Sequence, residues 1–388
     1  MTDLATPVAP ARPGILRRAA PALLGYAAVR VLGLLALAVW SAARGKDAYI
    51  LLTARWDALW YARVAGPGYG YEVRLPNGDV HSDLAFFPLL PWLERLLAAV
   101  TPLTYADAGF AVALLASLAA AWGIFAVAAH VYGRRAGVCA VLLWAALPVG
   151  IVQSMAYSES LFTALAAWSL YAVLTGRWVT AGALALLAGL TRPVGLAVVA
   201  AVWAAGVTSI RRSRVEAPTE GACRPARALG MALAPLGAAG YVLWVGLRTG
   251  KGPLGYLDVQ AGWRNGFDGG YAFARFTAEK FTSLASAPAG LGLVVGVGLV
   301  IWLLVLGVRG RQPLPLLVYA GVVTALALCA SSYFGSKPRL LLPAFPLLLP
   351  PALALARLRT SRTALVVAGA AVVSAVYGAF WLNGSGPP

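Results

Sequence analysis

Residues 21–61 read PALLGYAAVRVLGLLALAVWSAARGKDAYILLTARWDALWY: an apolar run from 21 to about 42, interrupted only by Arg30, followed by an acid set among aromatic and basic residues. The run is long enough to cross about 30 Å of hydrocarbon as a helix. The segment after it, Arg55-Trp56-Asp57-Ala58-Leu59-Trp60-Tyr61, places one carboxylate among the Trp and Tyr residues that favour a membrane–water boundary. A solubilising surface does not account for an acid in that company. A general base working at the boundary does.

Apolar runs recur at roughly 106–130, 137–152, 158–175, 178–190, 192–209, 228–247, 288–308, 313–333, 339–356 and 362–382. With the first they make about eleven helices. The chain of 388 residues is 60% hydrophobic and 12% charged, against about half and about a quarter for soluble domains. The fold class expected is an all-α polytopic membrane protein. One transmembrane domain covers 21–388 and follows a cytoplasmic tail over 1–20, in which Thr2–Pro13 is Pro- and Ala-rich and expected to be disordered. No small-residue cleavage site follows the first run, which reads as a retained span. The 178–190 run is too short to cross comfortably, and with 192–209 it suggests a shallow hairpin around Thr191-Arg192-Pro193.

The net charge of +17 does not indicate a nucleic-acid partner, because the basic residues lie in short clusters between apolar runs. Alternating sides from a cytoplasmic N-terminus puts 16 basic and 3 acidic residues inside, or +13, and 14 basic and 11 acidic outside, or +3; Arg30, within the first run, completes the 31. That asymmetry follows the positive-inside rule, with the C-terminus outside. The same clusters suit anionic lipid headgroups. Cys139, Cys223 and Cys329 show no CxxC or Cys/His spacing, so no disulfide framework or zinc site is indicated.

Two outer segments, 43–105 and 248–286, are too long to be plain connections. The first contains amphipathic pieces at Trp56–Ala65 and Phe86–Val100, read as interfacial helices. Trp56, Trp60 and Arg63 share a face of the first piece, with Arg55 and Tyr61 beside Asp57. Two readings of Asp57 fit: a general base, or the acid of an anchored helix paired to a neighbouring Arg. His81 and Asp83 lie in a polar loop, where a His is ordinarily solvated. Tyr157-Ser158-Glu159-Ser160 opens a span, where Ser158 or Glu159 reads first as a helix cap or dipole partner and second as a substrate contact. Asp107 reads as a cap. Arg192 and Lys337-Pro338-Arg339 lie beside apolar runs and fit either an anionic phosphate or lipid headgroups. Arg30 reads as structural. The second segment carries Gln260, Trp263, Arg264, Asn265 and Asp268, a mixture of aromatics and hydrogen-bonding groups that suits a sugar or any interfacial loop.

Together RWDALWYARVAGPGY (55–69), AFFPLLP (85–91), YSESLF (157–162), TRPVG (191–195) and KPRLLLPAFPLL (337–348) resemble, in order, the PIG-V type of GPI mannosyltransferase and its bacterial relatives. The pattern departs at Val194, where the family has Asn, so no polar contact carries over to that position. The resemblance implies the GT-C architecture and transfer of mannose from a polyprenyl-phosphate-mannose donor on the extracytoplasmic face. It places the catalytic acid at Asp57. The donor phosphate would meet Arg192, Lys337 and Arg339, with Arg63 and Arg264 behind them. Arg55, Trp56, Trp60, Tyr61, His81, Glu159, Gln260 and Trp263 are the candidate substrate contacts. Such a donor already carries its leaving group, so no nucleotide site is needed, and no Gly-rich phosphate loop is present. No cofactor is required; Asp83 and Glu72 are the acids placed for a divalent metal if one binds. A single displacement inverts the anomeric centre. The acceptor is a glycolipid, glycan or protein hydroxyl. The Ala-, Arg- and Gly-rich composition points to a high-GC bacterium and its cytoplasmic membrane, so the GPI role is not carried over. Another polyprenyl-phosphate sugar, or a lipid-linked-sugar transporter or scaffold, is the alternative.

Overall fold

A computed structural model describes residues 15–215, 223–384 and 386. Most of the expected tail, including Thr2–Pro13, lies outside those residues, and Ile15 already opens the first helix, Ile15–Ala43. Hydrocarbon offers no partner for backbone N–H and C=O groups, so apolar sequence in a bilayer closes its hydrogen bonds within helices. Among the described residues, strands are confined to two small pairs, both in the outer segments and the chain they touch.

Among the described residues, six helices are long and apolar enough to cross a membrane: Arg17–Ala43, Tyr105–Tyr132, Pro193–Arg212, Arg224–Thr249, Ala287–Arg309 and Thr360–Leu382. A bent pair, Phe334–Leu340 with Phe345–Arg357 at 72°, makes a seventh if taken as one span. Ser158–Leu174, Trp178–Gly189 and Leu314–Cys329 are apolar but shorter. The expected count of about eleven is therefore not what the helix lengths give. The reason is local: the run at 137–152 stops helically at Ala145 and continues through a tight turn at Gly150–Ser154. The helices around it break near 157, 190–195 and 330–345. These breaks are where the polar residues gather.

Arg30 explains one break. Its buried guanidinium donates to the carbonyl of Ala145, at the end of one helix, and to that of Gly150, at the start of the turn that follows. A Cβ on Gly150 would run into that guanidinium. Close packing elsewhere depends on small residues: Ala120, Ala121, Ala128, Ala140, Ala166 and Ala167 are all fully buried. By contrast, Leu291, Val295, Leu299 and Trp302 leave the Ala287–Arg309 helix facing outward.

The two ends of the bundle are distinct. Arg134 donates to Arg18 O at 3.2 Å and Arg135 to Leu358 O, gathering the basic clusters at one end. Asn383 Nδ2 donates to Ser41 Oγ at 3.0 Å and Lys46 Nζ to Asn383 O at 2.6 Å at the other.

At the second end the first outer segment forms helices Ala48–Thr53, Asp57–Ala65 and Leu89–Val100, with a hairpin pairing Glu72–Arg74 to Val80–Ser82. Both expected interfacial helices are present, the second starting at Leu89 after Pro88. Helix Tyr105–Tyr132 is capped by Thr104, with Asp107 as the reciprocal partner of a capping box rather than the cap itself. The second outer segment holds helices Gly255–Gly262 and Tyr271–Glu279, and Gly266–Phe267 pairs with Ala330–Ser331. That pairing ties the second segment to the chain just before Lys337.

Candidate active site

The chain enters the Asp57–Ala65 helix through a tight turn. Ala58 N–H donates to Arg55 O at 3.2 Å across Trp56 and Asp57. Trp56 sits at φ 50°, ψ −123°, a conformation that suits glycine and strains a residue with a Cβ by about 1–3 kcal/mol. The Arg55 guanidinium lies 4.0 Å from the centre of the Trp56 ring. The strained residue directly precedes the candidate base and fixes Asp57 in the first turn of the helix.

From there a run of polar contacts leads back to the same helix, and the residues along it form a ring. Asp57 Oδ2 is 2.9 Å from Arg339 Nη1. Arg339 Nε is 3.2 Å from Glu159 Oε1. Glu159 also pairs with Arg192. Arg192 Nη1 donates to Ser158 Oγ at 3.3 Å, and Ser158 Oγ shares a 2.8 Å hydrogen bond with the Tyr61 hydroxyl. Tyr61 is one helical turn beyond Asp57, on the same face, so the Asp57–Ala65 helix itself completes the ring. The guanidinium of Arg339 also lies 5.1 Å from the centre of the Tyr157 ring. Four separate stretches of sequence meet here, each supplied by the break of a helix.

The ring holds two carboxylates and two guanidiniums. Glu159 is fully buried, whereas the side chain of Asp57 is 26% exposed. The inner acid therefore serves the two cations, and the outer one faces the space from which a substrate would come. Glu159 does not cap its helix: Tyr157 occupies the N-cap position and no side chain caps there. Ser158, read as a possible cap, is the hydroxyl that joins Tyr61 to Arg192.

The other candidates are placed differently. Lys337 is buried two residues from Arg339, but its Nζ donates to the carbonyls of Ala327, at 2.7 Å, and Ala330. It lies 5.4 Å from the centre of the Phe273 ring, and Phe273 in turn lines an apolar groove of about 550 Å3 with Thr277, Leu293, Val297 and Leu328. Arg63 stacks over Tyr71 at 3.9 Å, and Arg264 Nε pairs with Asp79 at 2.6 Å. Of the five cations expected at a donor phosphate, Arg192 and Arg339 join the Asp57 ring, whereas these three are engaged elsewhere.

Trp60, Trp263 and His81 connect the two outer segments. Trp60 stacks on Phe86 with ring centres 5.5 Å apart and meets Trp263 edge-on at 4.9 Å. His81 stacks on Trp263 at 4.0 Å, and the Trp263 indole N–H donates to Ser82 O at 3.0 Å. Gln260 bonds the Tyr256 hydroxyl and accepts from Asn265 Nδ2 at 3.0 Å. This aromatic cluster adjoins the ring through Tyr61, which meets Phe86 edge-on at 5.2 Å.

Asp83 is not arranged as a metal ligand. Its carboxylate accepts the N–H of Gly70 at 3.0 Å and of Tyr71 at 2.9 Å, and burial holds it above the usual carboxylate range against those bonds. Glu72 is exposed on its strand. Among the described residues no three His, Cys, Asp or Glu come together as a metal site.

No family model matches the chain, and no curated protein matches it. Solved structures do. The crystal structure of ArnT from Cupriavidus metallidurans bound to undecaprenyl phosphate aligns with a TM-score of 0.55 at 15% identity, over 90% of this chain and 63% of that one. The apo state of the same enzyme gives 0.53 at 17% identity, over 88% and 61%. The chain therefore shares its fold, a polytopic bundle of apolar helices, with ArnT. At such identity the likeness is one of fold, and this chain spans under two thirds of the length of either ArnT chain. The archaeal oligosaccharyltransferase AglB from Archaeoglobus fulgidus, in complex with an inhibitory peptide and a dolichol-phosphate, aligns at 0.48 with 14% identity, over 94% of this chain and 56% of that one.

Proposed function

We propose that the protein is an inverting glycosyltransferase that moves mannose from a polyprenyl-phosphate-mannose donor to an acceptor hydroxyl on the outer face of a bacterial cytoplasmic membrane. The observation that carries this reading is the ring itself. A partly exposed carboxylate, Asp57, stands 2.9 Å from a guanidinium that shares Glu159 with a second guanidinium. The PIG-V-like motifs supply the sugar in this reading, and the complex of ArnT with undecaprenyl phosphate supports the class of lipid carrier.

The chemistry follows from the placement. Asp57 takes the proton of the acceptor hydroxyl as that oxygen bonds the anomeric carbon. The bond from that carbon to the phosphate oxygen breaks, and its electron pair leaves on polyprenyl phosphate. Arg192 and Arg339 neutralise the charge that develops there. Before the donor arrives Arg339 pairs with Asp57; a phosphate that engages Arg339 releases the carboxylate to act as a base. The apolar groove beside Lys337 suits the first isoprene units of the carrier. The acceptor is a glycolipid, glycan or protein hydroxyl entering past Tyr61 and Trp60.

A transporter would string its ionisable groups along a path through the spans. Here they close on one another at one end of the bundle, and the mid-span Arg30 is engaged with backbone carbonyls. The test is transfer from radiolabelled polyprenyl-phosphate-mannose by membranes carrying Asp57→Asn. Activity falls by about 10²- to 10⁴-fold while insertion and expression persist; full activity removes Asp57 as the base. Polyprenyl-phosphate-glucose offered in parallel tests the sugar, and preferential use of it would replace mannose.

A further inference from the structure

At the opposite end of the bundle the first helix, Ile15–Ala43, packs against both Arg134–Ala145 and Thr360–Leu382, which scarcely touch one another. The gap is a groove of about 640 Å3, floored by Pro21, Gly25 and Val29 and walled by Leu142 and Ala368. Its apolar length ends at Arg134 and Arg135. Both guanidiniums are exposed, and their hydrogen bonds go to neutral groups: Arg134 to Arg18 O, and Arg135 to Leu358 O and Thr360 Oγ1. Neither pairs with a carboxylate among the described residues.

The charge around the mouth has a single sign. Arg17, Arg18, Arg357, Arg359 and Arg362 are all exposed at this end, and among the described residues the loops on either side contribute no acid. Helices Arg134–Ala145 and Thr360–Leu382 also both begin here, so the positive ends of their dipoles add to the same field. An apolar slot that opens laterally between helices and ends under two uncompensated arginines matches one chemistry: an acyl chain joined to an anionic phosphate.

We propose that this groove binds one anionic phospholipid of the surrounding bilayer, with its phosphate against Arg134 and Arg135 and an acyl chain along Gly25, Val29, Leu142 and Ala368. By the positive-inside rule it is a lipid of the cytoplasmic leaflet, on the opposite side of the bilayer from the donor site. The side of the groove toward Thr360 is lined by small residues, including Ala364 and Ala368, which leave room for a chain. The bound lipid fills the gap between two helices that have little direct contact, so it staples the first and last spans to the rest of the bundle.

The test is native mass spectrometry of the full chain released from neutral detergent after exposure to phosphatidylglycerol or phosphatidylcholine. One phosphatidylglycerol per protein is retained, phosphatidylcholine is not, and the unfolding midpoint rises with phosphatidylglycerol alone. Arg134→Gln with Arg135→Gln weakens retention by roughly thirtyfold, from two lost surface-type contacts. Ala368→Phe, at an exposed position in the groove, also abolishes retention while both arginines remain; Ala364→Phe is the second variant should that chain fold poorly. Added inorganic phosphate does not displace the lipid. Equal retention of both lipids, displacement by phosphate, or retention unchanged in folded Ala368→Phe and Ala364→Phe would each overturn the proposal, the last by showing a diffuse headgroup attraction with no groove.

Discussion

The guanidinium of Arg339 lies 2.9 Å from the carboxylate of Asp57 while its Nε faces the buried Glu159. The outer acid of the site is thus restrained by a cation that the inner acid orients. In the proposed reaction the two members of this pair separate when a donor phosphate takes Arg339, so they act as a unit.

That unit predicts a non-additive pair. Arg339→Gln lowers transfer from the labelled donor by about 10²- to 10³-fold, the loss expected for one donor group at a developing charge. Asp57→Asn made in the Arg339→Gln chain costs less than Asp57→Asn made alone, because residues acting as a unit do not add. Rates measured in membranes of matched expression decide it; losses that simply multiply would mean the two residues work independently.

Glu159 is expected to be costly to neutralise. Glu159→Gln leaves Arg192 without a counter-charge and Arg339 with Asp57 alone, around a fully buried position, a change worth about 3–5 kcal/mol. An acid that merely complemented the helix dipole would cost about 0.3–1 kcal/mol. The unfolding midpoint in detergent distinguishes these, and Arg192→Gln in the same chain restores part of the loss by removing one stranded cation.

Much of this arrangement can be read in the sequence. The segment at 55–61 and the two helices of the first outer segment follow from hydropathy and aromatic placement. Arg192 and Arg339 meet at Glu159, and Arg339 reaches Asp57, because both stand where apolar runs break. The parts that could not be read depend on direction and burial. An acid in a first turn looks the same whether it caps a helix or binds two arginines, and only burial of the whole Tyr157–Ser160 stretch separates the cases. Lys337 and Arg339 are adjacent in pattern, yet two residues at about 100° each point a short helix's side chains to opposite sides. The helix lengths do not confirm the span count for a related reason, since the runs that build the site form short or broken helices.

Glu94 supplies a pH prediction outside the ring. It lies on the interfacial helix Leu89–Val100, is 1% exposed, and its Oε2 has no partner. A Cβ on Gly109 would collide with this carboxyl, so the close approach of the Tyr105 helix is what encloses it. Burial raises its pKa well above the ordinary value, near 4.3 in an unfolded chain. The folded state therefore favours the protonated form. Stability from this group is complete below about pH 4.3 and is lost as pH rises toward the raised folded value. Glu94→Gln, which keeps the shape without the ionisation, removes that loss. Unfolding midpoints of the two proteins should converge at acid pH and separate, with Glu94→Gln higher, as pH increases; a gap that closes with rising pH would contradict the assignment.

Trp56 offers a direct measure of strain beside the proposed base. At φ 50°, ψ −123° its Cβ is the source of the penalty, so Trp56→Gly and Trp56→Ala lose the same indole but only the first relieves the backbone. The strain is about 1–3 kcal/mol, and the extra freedom glycine brings to the unfolded chain returns about 0.4–1 kcal/mol. Trp56→Gly should therefore be the more stable of the two, and the unfolding midpoints compare them directly. Activity should run the other way. With glycine the turn is free to leave the geometry that aims Asp57 at Arg339, so Trp56→Gly transfers sugar more slowly than Trp56→Ala. An alanine variant that is both the more stable and the slower would place the role of Trp56 in its ring alone.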